Sequence, residues 1–282
     1  MAYLVLDHEK VLKLIPQRPV DGHKGTFGKI LLLCGSRGYT GAAALAAMGA
    51  LRTGAGLVYL GVPECIYDIE AVKLTEPVII PVADDGITYA PIAADQILSL
   101  LQGKDAVLIG PGIGQSQGSE AVVRTVLETF EGPVVLDADG INVMAAHKDI
   151  LRERTGPTIL TPHDGEFRRF GGVLSQDRAE SASNLARDLN GIVLLKGHRT
   201  VITDGYCTYI NSTGNPGMAT GGSGDVLAGV IVSLLGQGVP ALEAAACGAW
   251  LHGAAGDICA SEIGQYGMLP SDMVNVLPRL LK

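Results

Sequence analysis

The stretch from Asn211 to Val230, NSTGNPGMATGGSGDVLAGV, combines closely spaced glycines with one carboxylate, Asp225. Gly221, Gly222 and Gly224 precede DVLAGVIVSLLG, which is apolar around its circumference and predicts a buried helix. A glycine turn entering a helix N-terminus aims several free N–H groups at one point, where the helix dipole also favours negative charge. Gly222, Ser223 and Gly224 would then form an anion hole suited to a phosphoryl group. The same residues would also make a tight entry into a core helix, with Asp225 serving only the dipole. The acid favours chemistry. A carboxylate crowded against bound phosphate has its pKa raised towards that of a usable base.

Other constellations stand at the ends of apolar runs. In LTPHDGEF (Leu160 to Phe167), Pro162 stops a strand and His163 and Glu166 follow at i, i+3. If Asp164 begins a helix, both side chains face the strand ends, where open α/β sheets bind ligands. A satisfied loop histidine and an ordinary first-turn acid would look the same. In KGHRT, Lys196 emerges from a buried strand and Gly197 permits close backbone approach. A cation there could neutralise phosphate, or simply end a strand. GSRGYTGAAAL (Gly35 to Leu45) is neither a dinucleotide fingerprint nor a P-loop. It still joins strand to helix and leaves the helix start at Ala42 open to a ligand. GPGIGQS offers Gly112 or Gly114 as a backbone wall of a cleft, and LDADGIN brings Asp137, Asp139 and Asn142 to the next strand end. Asp139 suits an Asx turn equally well. His8, His23, His147 and His252 lack ligand spacing and read as structural or surface residues.

The elements that must position these residues alternate. Continuous apolar runs at KILLLC, LVYLGV, VIIPV, AVLIG, PVVLDA, TILT and IVLLK predict strands covered on both faces. Helical patterns lie between them: Gly41 to Gly54, Ser119 to Phe130 with Ser119 as cap, and Ser175 to Leu189. The alternation predicts a mostly parallel sheet sandwiched by helices. RTVITDGYCTYIN reads as strand, Asp204-Gly205 turn, strand, an antiparallel extension of that sheet. Small residues from Pro240 to Glu262 permit close helix approach.

With 282 residues, no linker and no repeat, one α/β domain over 1–282 is the economical expectation. Hydrophobic residues are 47% and charged residues 18%, enough for a large core. A net charge of −8 argues against nucleic acid and anionic membrane as partners, though not against an anionic small ligand held by local amides. The five cysteines show no C-x-x-C pair, and the N-terminus has acids and no sustained apolar core. Together these read as a cytoplasmic protein in a reducing compartment.

Taken together, GTFGKILLLCGSRGYTGAAALAA, ALRTGAGLV, GPGIG, VVLDADGIN, LTPHDGEF, LLKGHRTVI and TGNPGMATGGSGDVLAG resemble the ADP/ATP-dependent NAD(P)H-hydrate dehydratases, a branch of the ribokinase-like superfamily. The resemblance covers nearly the whole chain. It implies a ribokinase-like three-layer α/β/α sandwich and repair of NADHX or NADPHX by nucleotide-dependent dehydration. It implies Asp225 as the catalytic aspartate that orients or deprotonates the substrate hydroxyl. Ala42, Gly112, Gly114, His163 and Asp225 would contact the hydrate. Lys196, Gly197, His198, Arg199, Thr200, Gly222, Ser223 and Gly224 would line the nucleotide site. Glu166 would help organise Mg²⁺ and its waters. Family members commonly carry proline where this chain has Asp164, a departure that removes a rigid ring and adds a charge while keeping the His163/Glu166 spacing. ADP is favoured over ATP as donor, a homotetramer is implied, and the epimerase acting on the hydrate epimers is expected on another chain. A hydroxyl kinase of the hydroxyethylthiazole or hydroxymethylpyrimidine type is the alternative.

Overall fold

Short aliphatic runs become the strands of one nine-stranded sheet in a computed structural model that describes residues 3–282. In chain order the elements are α1 (His8–Leu14), β1 (Lys29–Leu33), α2 (Thr40–Arg52), β2 (Leu57–Pro63), α3 (Glu64–Lys73), β3 (Val78–Val82), α4 (Ala93–Leu100), β4 (Ala106–Ile109) and α5 (Gln117–Thr129). Next come β5 (Val134–Leu136), α6 (Asp139–Met144), α7 (Lys148–Glu153), β6 (Thr158–Leu160), α8 (Asp164–Arg169), α9 (Arg178–Leu189) and β7 (Ile192–Leu195). The hairpin β8 (Val201–Thr203) and β9 (Thr208–Ile210), then α10 (Ser223–Gly236), α11 (Ala241–Glu262) and α12 (Pro270–Val276), complete the fold.

The strand order is β3-β2-β1-β4-β5-β6-β7-β8-β9. Pairing is parallel from β3 to β7 and antiparallel through β8 and β9, so the expected hairpin extension is present. Alternate strand residues feed two cores. Ile30, Leu32, Leu60 and Leu108 pack on one face with residues of α2, α10 and α11. Leu31, Leu33, Val107 and Ile109 pack on the other with residues of α5 and α9. Burial on both faces is why these runs are continuous rather than alternating.

Two glycines let α10 lie against α2 at backbone distance. A Cβ on Gly229 would come within 2.1 Å of the Ala46 carbonyl, and one on Gly49 within 2.7 Å of the Val226 carbonyl. This contact fixes the depth of α10 and so where its N-terminus meets the strand ends.

Two local expectations shift. The cap of α5 is Ser116, not Ser119: Ser116 is extended, and its Oγ accepts the Ser119 N–H at 3.0 Å. Ser119 is buried and donates its hydroxyl to the Ile113 carbonyl. The β8–β9 connection spans residues 204–207 rather than two residues, because Asp204 Oδ1 accepts from both Tyr206 and Cys207 amides. Among the described residues no helix is long and apolar enough to cross a membrane.

Candidate active site

The strand order reverses at β1, with β2 on one side and β4 on the other. Loops leaving such strands diverge and open a crevice at their carboxyl ends. The Gly35 amide donates to the Pro111 carbonyl at 2.8 Å and ties the two loops together. Gly112 sits at φ 66°, where a Cβ would lie 3.0 Å from the side chains of both Ala42 and Tyr39. Ala42 and Gly112, predicted separately, are therefore neighbours. Gly114 donates its amide to Asp139 Oδ2 at 2.9 Å, and Gln115 donates to Asp139 Oδ1 at 3.3 Å. Asp139 thus pins the glycine loop rather than closing an Asx turn.

Four charged side chains meet beside this crevice. Lys196 Nζ donates to Asp137 Oδ1 at 3.0 Å and lies 3.8 Å from Glu166 Oε2. Asp137 is buried and also accepts the Thr161 hydroxyl at 2.6 Å. Burial would lower the Lys196 pKa, but Asp137, Glu166 and Asp225 outweigh it and hold the ammonium charged. A Cβ on Gly224 would stand 3.5 Å from Lys196 Nζ, which puts the α10 N-terminus against this cluster. Burial, then repulsion from Asp137, pushes the Asp225 pKa up to about 6; Lys196 counteracts and Asp139 adds to the rise. The sequence suggested phosphate as the cause of a raised pKa. In the free protein, desolvation is the larger cause and carboxylate repulsion the next.

His163 caps α8, as the helix beginning at Asp164 requires. Its Nδ1 accepts from the amides of Gly165 at 2.9 Å and Glu166 at 3.3 Å. A nitrogen that accepts two N–H groups carries no proton, so the neutral ring has its hydrogen on Nε2. Glu166 Oε2 accepts the His163 amide at 2.9 Å, closing a capping box, while Oε1 faces His163 Nε2 at 3.4 Å. Asn142 lies off to the side, accepting from Arg169 Nε at 2.9 Å.

The glycine turn before α10 is strapped to α11. Thr213 Oγ1 donates to the Trp250 carbonyl at 3.0 Å, and Asp257 accepts from the Gly214 amide and the Asn215 side chain at 2.9 Å each. Gly222 caps α10 in the left-handed region at φ 97°, which a side chain would strain. Ser223 Oγ lies 3.3 Å from His252 Nε2 of α11, a contact the sequence did not reveal. Burial holds the His252 pKa down to about 4, so the ring behind Ser223 is neutral.

The turn after β7 is internally braced. Thr200 Oγ1 donates to the Gly197 carbonyl at 2.9 Å and accepts the Gly197 amide at 3.3 Å. His198 and Arg199 are exposed, and their amides have no main-chain partner among the described residues. Asp225, Lys196, Glu166 and His163 thus converge, with the Gly222–Gly224 turn and the 197–200 turn flanking them.

Among the described residues no three acids, histidines or cysteines are spaced to hold a metal ion. One Glu166 oxygen is already engaged by the His163 amide, and the Lys196 ammonium stands beside the carboxylates. This donor set fits a magnesium ion that keeps most of its water and is carried chiefly by nucleotide phosphates, the ordinary mode for Mg²⁺.

Comparison with known proteins bears on the family and the fold. The carbohydrate-kinase family described as NAD(P)H-hydrate dehydratase matches residues 30–279. A bifunctional NAD(P)H-hydrate repair enzyme of Moorella thermoacetica is 44% identical over 95% of this chain, which spans about half (52%) of that protein. The ADP-dependent (S)-NAD(P)H-hydrate dehydratase of Bacillus subtilis is 37% identical, over 97% of this chain and 96% of its own. A crystal structure of an ADP/ATP-dependent NAD(P)H-hydrate dehydratase from that organism, co-crystallised with ATP/Mg²⁺, matches with a TM-score of 0.84 at 34% identity, covering 97% of this chain and 96% of that one. Ribokinase of Arabidopsis thaliana shares the fold at a TM-score of 0.60 and 16% identity, over 90% of this chain and 99% of that one. The chain has the ribokinase-like α/β architecture and belongs to the NAD(P)H-hydrate dehydratase family.

Proposed function

We propose that this protein dehydrates the S epimer of NADHX or NADPHX to NADH or NADPH, using ADP as phosphoryl donor. The observation that supports this most is Asp225. It is a carboxylate with its pKa pushed up to about 6, at the mouth of a helix N-terminus and beside a charged lysine. Such a group can accept a proton near neutral pH, and positioned general bases contribute about 10²- to 10⁴-fold to rate.

On this reading the hydrate lies in the crevice, against Ala42, Gly112 and Gly114, with His163 presenting its Nε2 hydrogen. Asp225 takes the proton of the C6 hydroxyl as the hydroxyl oxygen attacks the terminal phosphorus of ADP, and AMP leaves. The amides of Gly222, Ser223 and Gly224 and the α10 dipole carry the charge that spreads over the transferring phosphoryl oxygens. Lys196 and the turn from Gly197 to Thr200 hold the nucleotide. Glu166 would hold the water shell of a Mg²⁺ ion carried by the nucleotide, and that ion would supply neutralisation of phosphate charge. The ring nitrogen lone pair then expels phosphate from C6, and loss of a C5 proton restores the dihydropyridine. Phosphorylation turns hydroxide into a good leaving group, which is how a kinase architecture can carry out a net dehydration. An epimerase that interconverts the hydrate epimers is the partner activity this reading calls for.

The test is to incubate the protein with NADHX, Mg²⁺ and either ADP or ATP, following NADH absorbance. Recovery with ADP is expected. No recovery with either nucleotide would defeat the dehydratase assignment, and accumulation of a stable phosphorylated hydrate would return the protein to the hydroxyl kinases. Recovery with ATP alone would overturn only the donor.

A further inference from the structure

Arg178 joins two parts of the candidate site that no sequence motif connects. It is the first residue of α9. Its Nη1 donates to Asp164 Oδ1 at 2.7 Å, and its Nη2 donates to the Lys196 carbonyl at 2.9 Å. Asp164 opens α8 directly after His163, and the Lys196 carbonyl is the entry to the 197–200 turn. A Cβ on Gly197 would come within 2.8 Å of Arg178 Nη2, so the guanidinium lies against that turn. Arg178 Nε is buried with no partner among the described residues. A buried donor left unpaired carries a cost, so the two bonds it does make are what hold the guanidinium in place. Within the turn, Arg199 sits in the left-handed region at φ 56°, a conformation non-glycine residues keep where their surroundings impose it.

We propose that Asp164 and Arg178 form a strut that positions the 197–200 turn for the phosphoryl donor. The identity of that donor as ADP rests on the dehydratase reading above. Holding the Lys196 carbonyl fixes the plane of the Lys196–Gly197 peptide. The direction of the His198 and Arg199 amides, the turn's free main-chain donors, follows from that plane. A planar fork holds two separated acceptors in one fixed geometry, whereas an ammonium acts as a compact point charge with rotatable donors. The strut also links this turn to the helix carrying His163 and Glu166, so the donor and hydrate halves of the site keep one relative placement.

Charge alone predicts the opposite behaviour. Asp164 places a negative charge beside a site for an anionic nucleotide, so on electrostatics alone its removal would tighten ADP binding. If Asp164 acts by holding Arg178, its removal weakens ADP binding instead.

The experiment compares wild type, Asp164→Ala, Asp164→Asn, Arg178→Lys, Arg178→Met and the Asp164→Ala/Arg178→Met pair. It measures the ADP dissociation constant by calorimetry, KM for ADP and for NADHX, and Tm. Asp164→Ala and Arg178→Met should each weaken ADP by about tenfold or more, the scale of a lost charge-assisted bond. Arg178→Lys should not restore it. Asp164→Asn keeps an acceptor and should recover most of the loss. The double variant should be no worse than Arg178→Met, because both act through one element. KM for NADHX should move less than KM for ADP, a split that a general loss of stability would not produce. Tighter or unchanged ADP binding in Asp164→Ala overturns the strut. The dissociation constant reports on the strut whether or not NADHX is turned over. A wild type that binds ADP but does not convert NADHX would defeat the proposed function separately. Should Arg178→Met fail to fold, the two variants of the half-exposed Asp164 decide the question.

Discussion

Replacing Asp225 by Asn should make the protein more stable and nearly inactive, and the gain in stability should depend on pH in a defined direction. Burial and the neighbouring Asp137 raise the Asp225 pKa from 3.8 to about 6 in the folded chain. The folded state therefore binds this proton more tightly than the unfolded state. Stability linked to Asp225 is greatest below pH 3.8, falls as pH rises through the window from 3.8 to about 6, and is fully lost above it. At about 1.36 kcal/mol per pKa unit, the full cost is on the order of 3 kcal/mol. Asparagine mimics the protonated acid at every pH and removes that cost. The attraction of Lys196 is already contained in that raised pKa, so the net gain at pH 7.5 should be up to about 3 kcal/mol.

The assay is thermal or urea denaturation of both proteins at pH 4 and pH 7.5, with turnover measured at pH 7.5. The variant should match wild type near pH 4 and exceed it at pH 7.5. Its kcat/KM should fall by about 10²- to 10⁴-fold, as expected for loss of a general base, while ADP binding is kept or tightened. A stability difference that is equal at the two pH values, or that favours wild type at pH 7.5, would refute the account of the part-buried acid. Turnover within tenfold of wild type would remove Asp225 from its catalytic role.

Other perturbations separate folding from binding. Gly224→Ala meets only Lys196 Nζ, at 3.5 Å, so the fold should persist with Tm unchanged or higher. The methyl would nevertheless stand where phosphate oxygens approach the α10 N-terminus, and ADP binding should drop about tenfold or more by calorimetry, the cost of roughly 1.4 kcal/mol. Lys196→Met leaves Asp137, Glu166 and Asp225 without their cation and should destabilise by about 3–5 kcal/mol in urea titration. His252 has its pKa lowered from 6.5 to about 4, so its contribution to stability is full above pH 6.5 and lost as pH falls towards 4. His252→Gln should abolish that acid loss, seen as a changed slope of Tm against pH between pH 4 and 6.5.

The strands and their parallel order were legible because burial on both faces leaves a strong local mark, the unbroken aliphatic run. Asp225 and its glycines were legible for a similar reason: a left-handed cap such as Gly222 needs a residue without a Cβ, and that need is written locally. What stayed hidden depends on contacts between distant parts of the chain. Asp137 meets Lys196 across 59 positions, and Arg178 reaches Asp164 across 14. His252 lies inside the 22-residue helix α11 among alanines and glycines, with no local feature that points to Ser223. Asp139 suited an Asx turn as well as a site role, because an acid before glycine is common in such turns. Its true partner, the Gly114 amide, comes from a different loop.

The titrating groups around α10 give the pH profile of stability two opposing parts. Asp225 loses stability as pH rises from 3.8 to about 6, whereas His252 regains it as pH rises from about 4 to 6.5. The two slopes oppose each other over nearly the same window and are of similar size, so the contributions of these two groups nearly cancel there. A flat profile in the intact protein is therefore no sign that the site lacks perturbed groups. Each slope appears only when the other group is neutralised, and Asp225→Asn and His252→Gln should tilt the profile in opposite directions.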